Sequence, residues 1–215
     1  MSTIDLKALE RRVWRSSFED GLWDLVIGIM ALGFAVIPLI NDMIHSDFWS
    51  SFAWLPVNLA ALLFLFLGKR YITMPRMGRV RSSPQRRRKL SILAWVNVIV
   101  LSLAAIAGAV ASIGGGETLF GIYPFLMGLI VLAIFSFCAY LLKVPRFYVY
   151  GLLLVLAPTT GELLWMRRWP LVSAHHGYPV TFGLAASIII LTGIVLLIRF
   201  IKATPVPVRE SPDVP

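Results

Sequence analysis

The sequence predicts an all-α fold: a polytopic membrane bundle of six transmembrane helices with both termini in the cytoplasm. Three observations predict it. First, 58% of the 215 residues are apolar and only 14% are charged. Soluble domains carry about 25% charged residues, so this chain has too little charge to cover an apolar core in water. Second, the apolar residues gather into six stretches near the length that a bilayer needs. A hydrocarbon core of roughly 30 Å takes about 20 residues at 1.5 Å each. Third, there are 20 Lys and Arg against 11 Asp and Glu, a net charge of +9, and the excess alternates from one side of the stretches to the other. A chain this apolar is excluded from the disordered class. One cysteine excludes a disulfide scaffold.

The six stretches are Leu22–Ile40, Ser51–Gly68, Leu90–Ile113, Thr118–Leu142, Phe147–Trp165 and Pro179–Ile201. With a cytoplasmic segment over residues 1–20 they form one domain, residues 1–203. Residues 204–215 read as a disordered, Pro-rich cytoplasmic tail. If the stretches alternate in direction, the N terminus, the second and fourth loops and the C-terminal end hold 18 Lys and Arg, and the other three loops hold 2. Positive charge in short loops collects on the cytoplasmic side, which fixes the orientation. The first apolar stretch is longer than a signal-peptide core, and no small-residue cleavage site follows it, so it is expected to remain as an anchor.

Before the first span, Leu6, Leu9 and Val13 recur at helical spacing with Lys7, Glu10, Arg11 and Arg15 on other faces. This reads as an amphipathic helix on the cytoplasmic leaflet; the plainer alternative is a frayed terminus. Asp20 and Asp24 follow, four residues apart and so on one helical face. Two carboxylates on one face call for a cation, and the expectation is that Arg76, held by a turn in the second loop, bridges to one of them. The alternative is two solvated acids at a helix N-terminus, where negative charge is favourable.

The second span carries Pro56 and Asn58. Asn58 and Asn97 of the third span lie roughly 15 Å and 10 Å from the cytoplasmic ends of neighbouring antiparallel helices, so an interhelical hydrogen bond between them is expected. The second loop runs Tyr71-Ile72-Thr73-Met74-Pro75-Arg76-Met77-Gly78-Arg79-Val80-Arg81. Two β-prone pieces flank a Pro-x-x-Gly turn, which predicts a small hairpin at the membrane. Beyond it, Arg86, Arg87, Arg88 and Lys89 form a polybasic run suited to anionic lipid headgroups. Its plainer role is to set topology.

In the third span Ala104, Gly108 and Ser112 recur every four residues, as do Gly183 and Ser187 in the sixth. Small residues at that spacing let helices approach closely. The fourth span contains Cys138, a small packing residue. The second and fourth spans share weak features: Leu55-Pro56 and Tyr123-Pro124 at one end, Lys69 with Pro75-Arg76 and Lys143 with Pro145-Arg146 at the other. A duplicated helix pair is one reading of this. In the fifth span Pro158 tends to kink the helix, and Thr159 and Thr160 can satisfy carbonyls. Tyr148, Gly151, Val155, Pro158 and Glu162 share a face. A broken helix with a carboxylate is a transporter-like feature. The alternative places Glu162 at the outer interface, where a charge is cheap. His175 and His176 lie on that outer side. They lack the i, i+4 spacing of a helical zinc site, and no metal or other cofactor is expected. Trp49, Trp54, Trp165, Trp169 and Tyr178 suit an aromatic belt there.

Two stretches together carry a resemblance. Asp20-Gly21-Leu22-Trp23-Asp24 leads into the first span, and Tyr71-Ile72-Thr73-Met74-Pro75-Arg76-Met77-Gly78-Arg79-Val80 forms the second loop. The chain resembles a family of uncharacterised bacterial integral membrane proteins that pair an Asp-Gly-x-Trp-Asp/Glu lead-in with a Tyr-Ile-Thr-x-Pro-Arg-x-Gly-x-Val loop. Lys-Phe is expected after the valine in that family, whereas Arg81-Ser82 stands here. The resemblance implies the topology and a multi-pass protein of the bacterial cytoplasmic membrane. It implies no reaction. It singles out Asp20, Trp23, Asp24, Tyr71, Thr73, Pro75, Arg76 and Gly78 as structural or partner contacts.

No phosphate-binding loop, dinucleotide fingerprint, His-Glu-x-x-His or Cys-x-x-Cys is present. The positive-inside rule accounts for the +9, so nucleic acid is not an expected partner. The expected function is a non-enzymatic scaffold or regulatory partner. It would work through a basic cytoplasmic face on a membrane or cytoplasmic protein. The competing function is a small-solute or ion transporter or channel, acting as an oligomer, with Asn58, Thr159, Thr160 and Glu162 along its path. A lipid-modifying enzyme would need a catalytic cluster at one interface, and the sequence shows no coherent one.

Overall fold

The computed structural model describes residues 18–44, 54–77, 123–168 and 177–205, with the isolated positions 88, 91, 92 and 95. Several expectations fall outside those residues: the N-terminal amphipathic helix, most of the third span, Asn97, Gly78, Arg86, Arg87, Lys89, His175, His176 and the tail from residue 206.

The described elements are helical, and none of the described residues is in a strand. Helix α1 spans Leu22–Ile44 and α2 spans Trp54–Gly68. A wide π turn over Lys69–Thr73 continues α2 into a single turn, α3, at Met74–Met77. Helix α4 spans Tyr123–Leu142, α5 spans Arg146–Met166 and α6 spans Tyr178–Ala203. Four helical stretches are long and apolar enough to cross a membrane: Leu22–Ile40, Leu55–Arg76, Arg146–Met166 and Tyr178–Ala203. These match the predicted first, fifth and sixth spans closely, and the predicted second span, Ser51–Gly68, overlaps Leu55–Arg76, which runs eight residues further. Gly128–Leu142 is a shorter apolar helix.

The prolines explain themselves by position. Pro56 falls in the first turn of α2, where a missing N–H costs nothing. Pro158 lies inside α5, which is nevertheless one helix from Arg146 to Met166, so the fifth span is not broken. The predicted hairpin is overturned over Tyr71–Met77, which is helical. The cause is the π turn. Met74 N–H donates to the Lys69 carbonyl, five residues back. This widened turn immediately precedes Pro75, whose ring would otherwise crowd the carbonyl four residues back. The chain therefore continues as helix through a sequence that reads like a turn.

Glycines bring α1 onto α6. A Cβ on Gly28 would lie 2.5 Å from Ile190 Cγ1, and one on Gly193 would lie 2.9 Å from Leu25 N. Gly183 is looser, 4.0 Å from Ala35 Cβ, and Ser187 is exposed with its hydroxyl on the Gly183 carbonyl. The small-residue contact predicted at Gly183 and Ser187 is therefore carried instead by Gly28 and Gly193. Helices α4 and α5 are antiparallel around a tight turn. Lys143 takes a left-handed φ of 57° and Val144 N–H donates back to the Ala139 carbonyl, a Schellman closure with a lysine in the place usually given to glycine.

Phe18, Ala139, Val144, Phe147, Tyr150 and Ile189 form one buried cluster where α1, α4, α5 and α6 meet. Ala35, Ala157, Phe182 and Ala185 form a second towards the other end. Helix α2 packs along α1, with Leu59, Leu62, Leu63 and Phe66 each more than half exposed. An apolar surface of that kind suits lipid.

Candidate functional site

The site begins at a break in the helix. Phe18 and Glu19 are helical, Asp20 turns the chain, and Gly21 adopts φ 76°. A Cβ there would press on the Gly193 carbonyl and lie 2.8 Å from Leu197 N, so both the backbone angle and the approach of α6 require glycine. Leu25 N–H then donates to the Gly21 carbonyl and starts α1. Asp20 accepts Leu22 N–H at 3.2 Å on Oδ1, a cap on an otherwise orphan donor.

Asp20 and Asp24 are both fully buried, with no exposed area. Carboxylates so placed need cations and hydrogen bonds, and each gets a cation from a different helix. Lys69 Nζ donates to Asp20 Oδ2 at 2.5 Å, and Thr73 Oγ1 donates to the same oxygen at 2.8 Å. Lys69 and Thr73 stand four apart on the π turn, so both face α1. Arg146, the first residue of α5, donates from Nε to Asp24 Oδ1 at 2.6 Å and from Nη2 to Oδ2 at 2.9 Å. Such a two-pronged contact is the strong form of an ion pair. The same Nη2 also donates to the Phe18 carbonyl, so one guanidinium holds both sides of the helix break.

Around this double clamp, Trp23 stacks on Phe18 with ring centres 5.9 Å apart. Tyr150, one turn beyond Arg146 and buried, directs its hydroxyl towards Asp24 and Thr192 without reaching hydrogen-bond geometry with either. The clamp joins the start of α1 to the end of α2 and the start of α5. These ends therefore share one pole of the bundle, the charged end.

The expected bridge from Arg76 is not formed. Arg76 lies one turn beyond Thr73 and donates from Nη1 to its own helix at the Ile72 carbonyl, 2.9 Å away, while its Nε is buried without a hydrogen-bond partner. Lys69 sits nearer along the axis and takes Asp20. Tyr71 and Pro75 face outward, and the Arg70 guanidinium lies 5.8 Å from the Tyr71 ring centre. Arg88 is exposed.

The intramembrane candidates are spread out. Asn58 is half-buried on α2. Thr159 Oγ1 donates to the Val155 carbonyl, and Thr160 Oγ1 donates to those of Leu156 and Ala157. These carbonyls follow, but are not, the Leu154 carbonyl that Pro158 deprives of its helical donor. Of the face expected on α5, Gly151, Val155 and Pro158 are buried and Glu162 is half-buried, but Tyr148 is exposed. Glu162 Oε1 accepts the Tyr178 hydroxyl at 2.7 Å, tying the end of α5 to the start of α6 at the opposite pole. Among the described residues no cluster of His, Cys, Asp and Glu could hold a metal ion.

The sequence pointed to Asp20, Trp23, Asp24 and Thr73. It missed Lys69 and Arg146 as their partners. The one signal for Arg146 was the weak match of Lys143-Val144-Pro145-Arg146 to the end of the second span. Comparison with protein-family models, curated proteins and solved structures finds no match to the chain.

Proposed function

We propose that the protein is a six-span, non-enzymatic scaffold or regulatory partner of the bacterial cytoplasmic membrane, working through its charged end. The observation that carries this reading is the closure of both buried carboxylates by Lys69, Thr73 and Arg146. The clamp uses its titratable groups against each other and leaves Arg70, Tyr71, Met74 and Pro75 outward on the same turn. A rigid platform with an exposed basic rim suits docking better than chemistry.

Six spans with cytoplasmic termini are part of the proposal. They are supported by the charge partition and by chain ends: Met77 leaves α3 at the charged end, whereas Tyr123 starts α4 at the opposite one. Membership of the bacterial family with the Asp-Gly-x-Trp-Asp/Glu lead-in is likewise part of it. A transport path is less favoured, because Thr159 and Thr160 bond their own helix and Glu162 holds Tyr178.

The test is photocrosslinking in native membranes. A photoreactive side chain at Arg88 or Met74 is expected to give a discrete protein adduct, and the same group at lipid-facing Leu184 is not. Identical patterns at all three positions would sink the docking reading.

A further inference from the structure

Two exposed tyrosines, each with an exposed cation close by in sequence, flank the clamp and belong to neither ion pair. On the wide turn after α2, Tyr71 is 67% exposed with Arg70 over its ring. At the end of α4, Tyr140 is 73% exposed, and Lys143, three residues on in the left-handed turn, is also exposed. Both helix ends are tethered to the same pole, because Lys69 binds Asp20 beside one pair and Arg146 binds Asp24 beside the other.

The first of them marks a boundary. Along α2, exposed Phe66 and Leu67 give way within a turn to Arg70. Exposed apolar side chains match acyl chains, tyrosine prefers the interface, and a long cation reaches the headgroup layer. The apolar residues that lead up to Arg70 are on the lateral surface, so lipid is the neighbour that the pair meets. A phosphate without a compensating cation on the lipid side is the headgroup such a cation selects.

We infer that the charged end carries two lateral sites for anionic phospholipid headgroups, Arg70 with Tyr71 and Lys143 with Tyr140. In each, the cation holds the headgroup phosphate and the tyrosine fixes the cation at its depth. The first of these sites lies on the turn that the docking reading also uses, but neither site needs a protein partner.

The test uses the full chain in nanodiscs that contain phosphatidylcholine with a minor fraction of phosphatidylglycerol. Native mass spectrometry of the released protein reads the ratio of the two lipids retained. The parent is expected to be enriched in phosphatidylglycerol. Arg70→Gln with Lys143→Gln is expected to lower the enrichment by about fivefold per cation, the equivalent of about 1 kcal/mol each. Arg70→Lys with Lys143→Arg should restore it. Tyr71→Ala with Tyr140→Ala should lower it with all cations in place. All four positions are exposed, and an unchanged melting temperature checks that the variants fold. Equal retention of the two lipids by the parent overturns the proposal. So does an equal loss from Arg199→Gln with Lys202→Gln, which would assign the effect to net charge alone. Either failure leaves the protein-docking reading standing, since no partner is present in the nanodisc.

Discussion

Arg146 reaches Asp24 across 122 residues of chain and binds it with two donors, at 2.6 Å and 2.9 Å. The carboxylate is fully buried and the guanidinium is about one-fifth exposed. Removing one partner of a buried pair strands the other charge, which costs about 3–5 kcal/mol. Arg146→Gln is therefore expected to lower the melting temperature in detergent sharply. Arg146→Lys keeps the charge but loses the fork and, with it, the bond to Phe18, so it should fall between Gln and the parent. The double change Asp24→Asn, Arg146→Gln should recover part of the loss. Equal melting temperatures for parent and Arg146→Gln would show that the pair does not hold the bundle.

The α1–α6 contact makes a second prediction from two glycines on one helix. A methyl group at Gly193 would meet the backbone nitrogen of Leu25 at 2.9 Å, whereas one at Gly183 would meet Ala35 Cβ at 4.0 Å. The first must push backbone apart, and overpacking of this kind costs about 1–3 kcal/mol. The second fits, and alanine also removes the glycine penalty within a helix. Gly193→Ala should destabilise and Gly183→Ala should be neutral or stabilising. The reverse order in thermal unfolding would mean that α1 and α6 approach elsewhere.

The legible part of the fold was whatever depends on composition along one stretch of chain. Apolar length placed α1, α5 and α6 to within a few residues. Carboxylates four apart marked the clamp, because burial at a span's start needs no knowledge of neighbours. Their partners were less legible for a physical reason. Most basic residues are expected at one side of the membrane, so sequence alone offers many cations at the right depth. Only packing, with Gly21 against Gly193 and Arg146 at the start of α5, selects among them. The turn at Pro75 misled because a π turn carries no distinct sequence signal, and Pro-x-x-Gly satisfies a hairpin equally well.

Asp20 allows the pieces of its site to be separated. Lys69 and Thr73 share the Oδ2 oxygen, and Leu22 N–H holds Oδ1. Thr73→Val removes one bond to a charged acceptor, worth about 1.5 kcal/mol. Lys69→Met leaves the buried carboxylate without its cation and should cost more, about 3 kcal/mol, at the low end because Lys69 is one-fifth exposed. Residues that share one acceptor are coupled, so the double variant should differ from the sum of the singles. Strict additivity in a double-mutant cycle would argue that the two side chains serve Asp20 independently.

The opposite pole gives the contrasting case. Tyr178 donates to Glu162 at 2.7 Å, and both residues are half-buried. Tyr178→Phe removes a hydrogen bond to a charged group that keeps part of its hydration, so the cost should fall below that of a buried charged acceptor, at about 1 kcal/mol. It should loosen the junction of α5 and α6 and leave the clamp at Asp24 intact. Sites at separate ends with no shared partner add. Tyr178→Phe combined with Arg146→Lys should therefore lower stability by the sum of the two, within about 0.5 kcal/mol. A larger coupling would mean that α5 transmits strain from Arg146 past Pro158 to Glu162, and that the proline is a working hinge rather than a residue the helix absorbs.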